Sequence, residues 1–151
     1  MHEEFQPDER LYRKIRPLEQ FWDSETQRPT SGAFKDRNGL SVDRQGQRQN
    51  NDAINQLNSR LPGIGAIVSA EYQQCTEIPV LVVYKPLPEN EFHSEIHDSK
   101  DRIALASSKA RKLSQLVRID QFPNNPVILS ETLYRQSRQK HYGCNPKPYW
   151  S

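Results

Sequence analysis

Ile78-Pro-Val-Leu-Val-Val-Tyr84 is the most apolar run in the chain, and it leads through Pro86-Leu-Pro-Glu-Asn90 into Phe92-His-Ser-Glu-Ile-His97. An unbroken apolar run rich in β-branched residues predicts a central strand buried on both faces, over 80–84. The second stretch alternates instead. In an extended backbone Phe92, Ser94 and Ile96 share one face, while His93, Glu95 and His97 share the other. The first face is expected to be buried and the second to be polar.

Working outward, 66–70 suits a further strand, with 71–77 as a turn or short helical connection. Upstream of it, Ile54, Leu57 and Leu61 recur at helical spacing behind Asn51 or Asp52 as cap, and Pro62-Gly63 stops that helix. Asn38-Gly39 is a hairpin signal, which predicts antiparallel segments on either side of it. Leu11-Tyr-Arg-Lys-Ile15 reads as the first strand, and Leu18, Phe21 and Trp22 as a turn of helix packed on the core. Downstream, Ser107 or Ser108 caps an amphipathic helix. Its apolar arc carries Ala110, Leu113, Leu116 and Val117, with Arg111 and Arg118 pointing outward. The region 102–105 is expected to continue a strand, and 127–134 to dock as a strand or a helical turn.

The fold class that follows is α+β, a small, mostly antiparallel sheet of four to six strands with two main helices, 51–61 and 108–118, packed on it. Residues 1–10 read as a loose N-terminal segment, 11–134 as one domain and 135–151 as a basic, partly disordered tail. Only 34% of the residues are hydrophobic and 11 are proline; even with glycine added, the apolar share stays below the usual ~45–50%. A compact centre with poorly packed ends is the expectation.

No apolar run approaches the ~18 residues of a membrane span, and the acidic N-terminus is unlike a signal peptide. The protein is therefore expected to be soluble and cytoplasmic. Cys75 and Cys144 match no paired metal spacing and are expected to be reduced thiols. The net charge of +2 hides an asymmetry: residues 1–99 carry 11 Lys/Arg against 16 Asp/Glu, and residues 100–151 carry 10 against 3. A basic C-terminal third can meet nucleic acid, through Arg111, Lys112, Arg118 and residues 135–140. It can equally meet an acidic partner or the acidic remainder of the chain.

The candidate chemistry gathers on His93, Glu95 and His97. Glu95 can orient one imidazole for acid–base work, with Ser31, Ser41 and Cys75 as nominal nucleophiles. Three same-face neighbours on one strand point in parallel and do not close around an ion at ~2.0–2.2 Å, so no metal and no cofactor is assigned. Arg28, Lys35, Asp36, Asp43 and Arg44 form an ion-pair network or recognise an anionic ligand, and Arg28 and Ser31 are the ligand-binding candidates.

Three blocks carry a resemblance: Leu11-Tyr-Arg-Lys-Ile15; Arg28-Pro-Thr-Ser-Gly-Ala-Phe-Lys-Asp36 with Leu40-Ser-Val-Asp43; and Pro86-Leu-Pro-Glu-Asn90 with His93. Over about residues 10–118 the chain resembles an uncharacterised family of short bacterial proteins, which implies a bacterial, cytoplasmic origin. Tyr12-Arg13, Thr30-Ser31 and Phe34 also resemble elements of the NAD-binding cleft of ADP-ribosyltransferase-like folds. For the late catalytic glutamate of those folds, Glu95 is the residue available. That likeness implies an enzyme whose nucleotide cleft joins Arg13, Ser31 and His93, with Glu95 beside them. The leading expectation is different: a small accessory protein acting through a larger protein partner, because no complete catalytic set stands out. Nucleic-acid binding through the basic third is the remaining alternative.

Overall fold

The computed structural model describes residues 3–123. In chain order they form β1 (Arg10–Ile15), β2 (Trp22–Asp23), β3 (Arg28–Pro29), a 3-10 turn (Ser31–Phe34), β4 (Leu40–Arg44), α1 (Asn50–Arg60), β5 (Ala66–Glu71), α2 (Tyr72–Glu77), β6 (Leu81–Tyr84), β7 (His93–His97), α3 (Ser107–Leu116) and β8 (Arg118–Gln121). Six strands make one antiparallel sheet in the order β6-β7-β4-β1-β5-β8, and β2 and β3 pair separately. The class is α+β, as the alternation and helical periodicities predict. The apolar stretch 127–134, the basic tail 135–151 and Cys144 lie outside the described residues.

Alternation sends Leu11 and Ile15 of β1, Leu40 and Val42 of β4, Val68 and Ala70 of β5, and Ile96 of β7 to one side. There they pack with Phe34, Trp22, Cys75, and Ala110 and Leu113 of α3 in the main core. Burying a side chain such as Leu113 contributes about 1.5–3 kcal/mol. On the other side, Tyr12 and Ile67 are covered by Ala53 and Leu57 of α1. That helix reaches β1 and β5; on the same face β4 and β7 present Ser41, Asp43, His93 and Glu95. A polar floor beside a helix is the setting for the site.

Several expectations are corrected. The run 80–84 is not central: among the described residues β6 is an edge strand, and Leu81 is 40% exposed. The doubly buried strand is β5, where every residue from Ala66 to Ala70 is buried. It reads less apolar than β6 because it carries Ala66, Ser69 and Ala70, and buried Ser69 accepts a hydrogen bond from the Arg10 guanidinium at 2.8 Å. Asn38-Gly39 does not close a hairpin. It links the 3-10 turn to β4, with Gly39 at φ 106°, and a Cβ there would run into the Glu95 carboxylate. No strand forms over 102–105, where Ser99 and Arg102 bridge across a turn instead.

Residues 5–9 are not a loose end. The Phe5 ring stacks on Tyr72 at 5.0 Å, and the Arg44 guanidinium sits over Phe5 at 4.1 Å. Buried Glu9 takes two hydrogen bonds from Arg44, at 2.7 and 2.8 Å, and one from the Gly46 amide at 2.9 Å. A buried carboxylate needs such partners, and they anchor the segment.

Candidate functional site

Strand register builds the floor. Asp43 lies opposite His93, and Ser41 opposite Glu95, in the β4–β7 pair. Their polar side chains project from the face away from the main core. His93 Nδ1 is 2.9 Å from the Lys85 carbonyl oxygen, and its Nε2 is 3.2 Å from Ser41 Oγ. His97 and Glu95 form a separate pair at 2.8 Å, with the Lys85 ammonium 3.3 Å from the same carboxylate oxygen. Burial pushes Glu95 upward, but hydrogen bonds from His97 and Lys85 outweigh it and hold the carboxyl below its usual range.

The wall comes from the turn before β7. Leu87 and Asn90 exchange backbone hydrogen bonds at 3.0 Å, which closes the turn. The Asn90 side chain accepts from the Phe92 amide at 3.1 Å and donates to Asp43 Oδ1 at 2.9 Å. Asp43 also pairs with Arg60 at the end of α1. Lys14 completes the helix end, donating to Asn58 Oδ1 at 2.9 Å, to the Leu61 carbonyl, and to the Gly63 carbonyl at 3.2 Å. These bonds cap carbonyls that a helix terminus leaves unpaired. Burial lowers the Lys14 ammonium to about 8.

Between floor, turn and helix lies a cavity of about 630 Å³, lined by the apolar residues Leu57, Leu61 and Leu87 and by Ser41, Asp43, Arg60, Asn90 and His93. Ion pairs and hydrogen bonds hold the polar members in place before any ligand arrives. Such an enclosure can orient a small molecule by a few polar groups while its body rests on leucines.

The structure distributes the sequence candidates unevenly. Arg13 and His93 both border the cavity, whereas Ser31 is not part of its lining. The Arg13 guanidinium is held by the Ala33 and Ser41 carbonyls, at 3.2 and 2.9 Å, and by Asp36 at 3.1 Å. It ties the 3-10 turn to the sheet. Arg28 lies at the far end of α3 and donates to the carbonyls of Ser114, Gln115 and Val117 at 2.7–3.1 Å. Among the described residues no three His, Cys, Asp or Glu side chains are gathered for a metal ion, and His93 turns from Glu95 toward Ser41.

The basic trio separates. Arg111 and Lys112 are exposed on α3, but Arg118 begins β8 and bonds Asp120 and Asn50 instead of extending the helix surface. The helix ends at Leu116 because Val117 is extended.

Sequence reasoning passed over Asn90 and Arg60 and gave Ser41 only a nominal role. A signal for Ser41 and Asp43 was present: they alternate with Leu40 and Val42, so they share a polar face. Nothing local announces that Asn90 and Arg60 converge on Asp43.

No family model, curated protein or solved structure matches the chain.

Proposed function

We propose that this protein binds a small organic molecule with an apolar body and a hydrogen-bonding head in the cavity between α1 and the β4–β7 floor. One observation carries the reading. The cavity of about 630 Å³ has leucines on its walls and a cross-linked polar set, Ser41, Asp43, Asn90 and His93, on one side. Its size falls within the ~300–1,000 Å³ usual for small-molecule sites. Amide chemical shifts recorded during a fragment screen test it. Binders should shift the amides of residues 41–43, 57–61 and 87–93 together. A screen whose binders shift only residues elsewhere would refute it.

A second reading has its own observation. The β6 edge carries Leu81, Val82, Val83 and Tyr84 half exposed, with a strand on one side only among the described residues. An extended segment of a protein partner can add to such an edge. This is the accessory-protein reading, and Val82→Pro tests it. The Lys85 amide bonds the His93 carbonyl of β7, amides alternate in direction along a strand, and that of Val82 therefore faces the open edge. The substitution should remove partner capture from lysate and leave the fragment-induced shifts unchanged.

A further inference from the structure

Ser41 and His93, which the ligand-binding reading uses only as polar groups, also meet in an order that can do chemistry. A carbonyl oxygen can only accept, so the 2.9 Å contact with the Lys85 carbonyl places a proton on His93 Nδ1. In the neutral ring Nε2 is then the lone-pair nitrogen. It faces Ser41 Oγ at 3.2 Å, and the serine hydroxyl must be the donor. A hydroxyl, a base within reach of its proton and a third group fixing the base are the three parts of an activated serine.

The surroundings keep that arrangement intact. Glu95, the nearest rival for the imidazole along β7, is engaged by His97 at 2.8 Å and Lys85 at 3.3 Å. Ser41 sits inside β4, paired on the β7 side, so its position is set by the sheet and not by a mobile loop. Both side chains border the cavity, and so does the Arg60 guanidinium, the cation of the α1 end.

We propose that Ser41 and His93 form a nucleophile–base pair that hydrolyses carboxylic esters whose acyl chain rests on the leucine wall. This rests on the cavity being a ligand site. Ser41 Oγ attacks the ester carbonyl carbon as its proton passes to His93 Nε2. The tetrahedral intermediate carries its negative oxygen on the side of the cavity that holds Arg60. It collapses with cleavage of the carbon–oxygen bond, and the leaving alcohol takes the proton from Nε2. A solvent water then gives its proton to Nε2 and its oxygen to the acyl carbon. The carboxylic acid is released and Ser41 regains its hydrogen. No oxidant, reductant or metal enters the balance.

Two probes applied to the full chain test this: an alkyl fluorophosphonate and p-nitrophenyl butyrate, read by intact mass, peptide mapping and nitrophenolate release. The expected result is a single phosphonyl adduct on Ser41 and turnover of the ester. Ser41→Ala should abolish both. His93→Gln should slow both by about 10²–10⁴-fold, the usual contribution of a positioned base. Ser59→Ala, on the exposed side of α1 and away from the cavity, should label as the unaltered protein does. Mapping the adduct on the unaltered chain keeps the test valid even if a variant fails to fold. No adduct, an adduct on another residue, or labelling retained in Ser41→Ala overturns the proposal. The ketone analogue of the ester, which has no leaving group, separates the two levels of failure. Cavity amides that shift with ketone while no adduct forms refute the chemistry and leave the ligand site standing. Neither shifts nor adduct refutes both.

Discussion

Asn90 and Asp43 are 47 residues apart in the chain, and the amide of one donates to the carboxylate of the other at 2.9 Å with both side chains buried. This bond pins the turn before β7 to the middle of the sheet and shapes the mouth of the cavity.

Replacing Asn90 by Ala removes that bond and the one from the Phe92 amide. An unsatisfied buried polar partner costs about 1–3 kcal/mol. The melting temperature should therefore fall, and amide exchange should quicken across residues 85–93 before it does elsewhere. Equal protection throughout the chain would show that the turn is held by other means.

Glu9→Ala tests whether the N-terminal segment belongs to the fold. It leaves the buried Arg44 guanidinium without its carboxylate, and breaking a buried pair in this way costs about 3–5 kcal/mol. Urea unfolding should register most of that loss. A change under about 0.5 kcal/mol would mean that residues 5–9 contribute nothing to stability.

Val68→Asp and Val83→Asp compare the two strands that the apolar pattern confuses. Val68 is 1% exposed in β5, whereas Val83 is half buried on the β6 edge. The first substitution should cost several kcal/mol, because a buried carboxylate has no partner there. The second should cost about 1 kcal/mol or less. Equal midpoints in urea would contradict the strand order.

Asp98 gives a pH dependence with a definite sign. Its carboxylate accepts from the Ala106 amide at 2.8 Å and lies 3.5 Å from the Lys109 ammonium. The Ala106 hydrogen bond is the chief cause that holds its pKa below the ordinary 3.8. The folded state therefore binds this proton less readily than the unfolded chain. The stabilisation is full above about pH 4 and is lost as pH falls through the lower folded value. Asp98→Asn should flatten the acid limb of the stability curve below about pH 4. An unchanged limb would assign acid sensitivity to other carboxylates.

Cys75 is fully buried, and burial pushes its thiol up to about 12. In a Cys144→Ser background the native protein should not react with a disulfide reagent at pH 8, and one thiol should appear on denaturation. Fast native labelling would show that the α2 region opens readily.

Local periodicity was enough for part of this protein. The spacing of Ile54, Leu57 and Leu61 marked α1, and Ala110 and Leu113 marked the buried side of α3. The alternation of Phe92 to His97 separated buried Ser94 and Ile96 from the polar triplet, because side chains on a strand change face at every residue. Phe92, however, precedes β7 and stays half buried with the Arg48 guanidinium over its ring. Strand order was a tertiary matter. An apolar run such as that of β6 satisfies the same local pattern at the centre of a sheet or at its edge, and only pairing with distant segments decides which. The site depended on distance in the same way. Ser41 joins His93 because β4 and β7 pair antiparallel, and Asn90 and Arg60 reach Asp43 from a turn and a helix end. None of those three meetings leaves a spacing in the chain, since each is made by surfaces that come together only when the sheet closes.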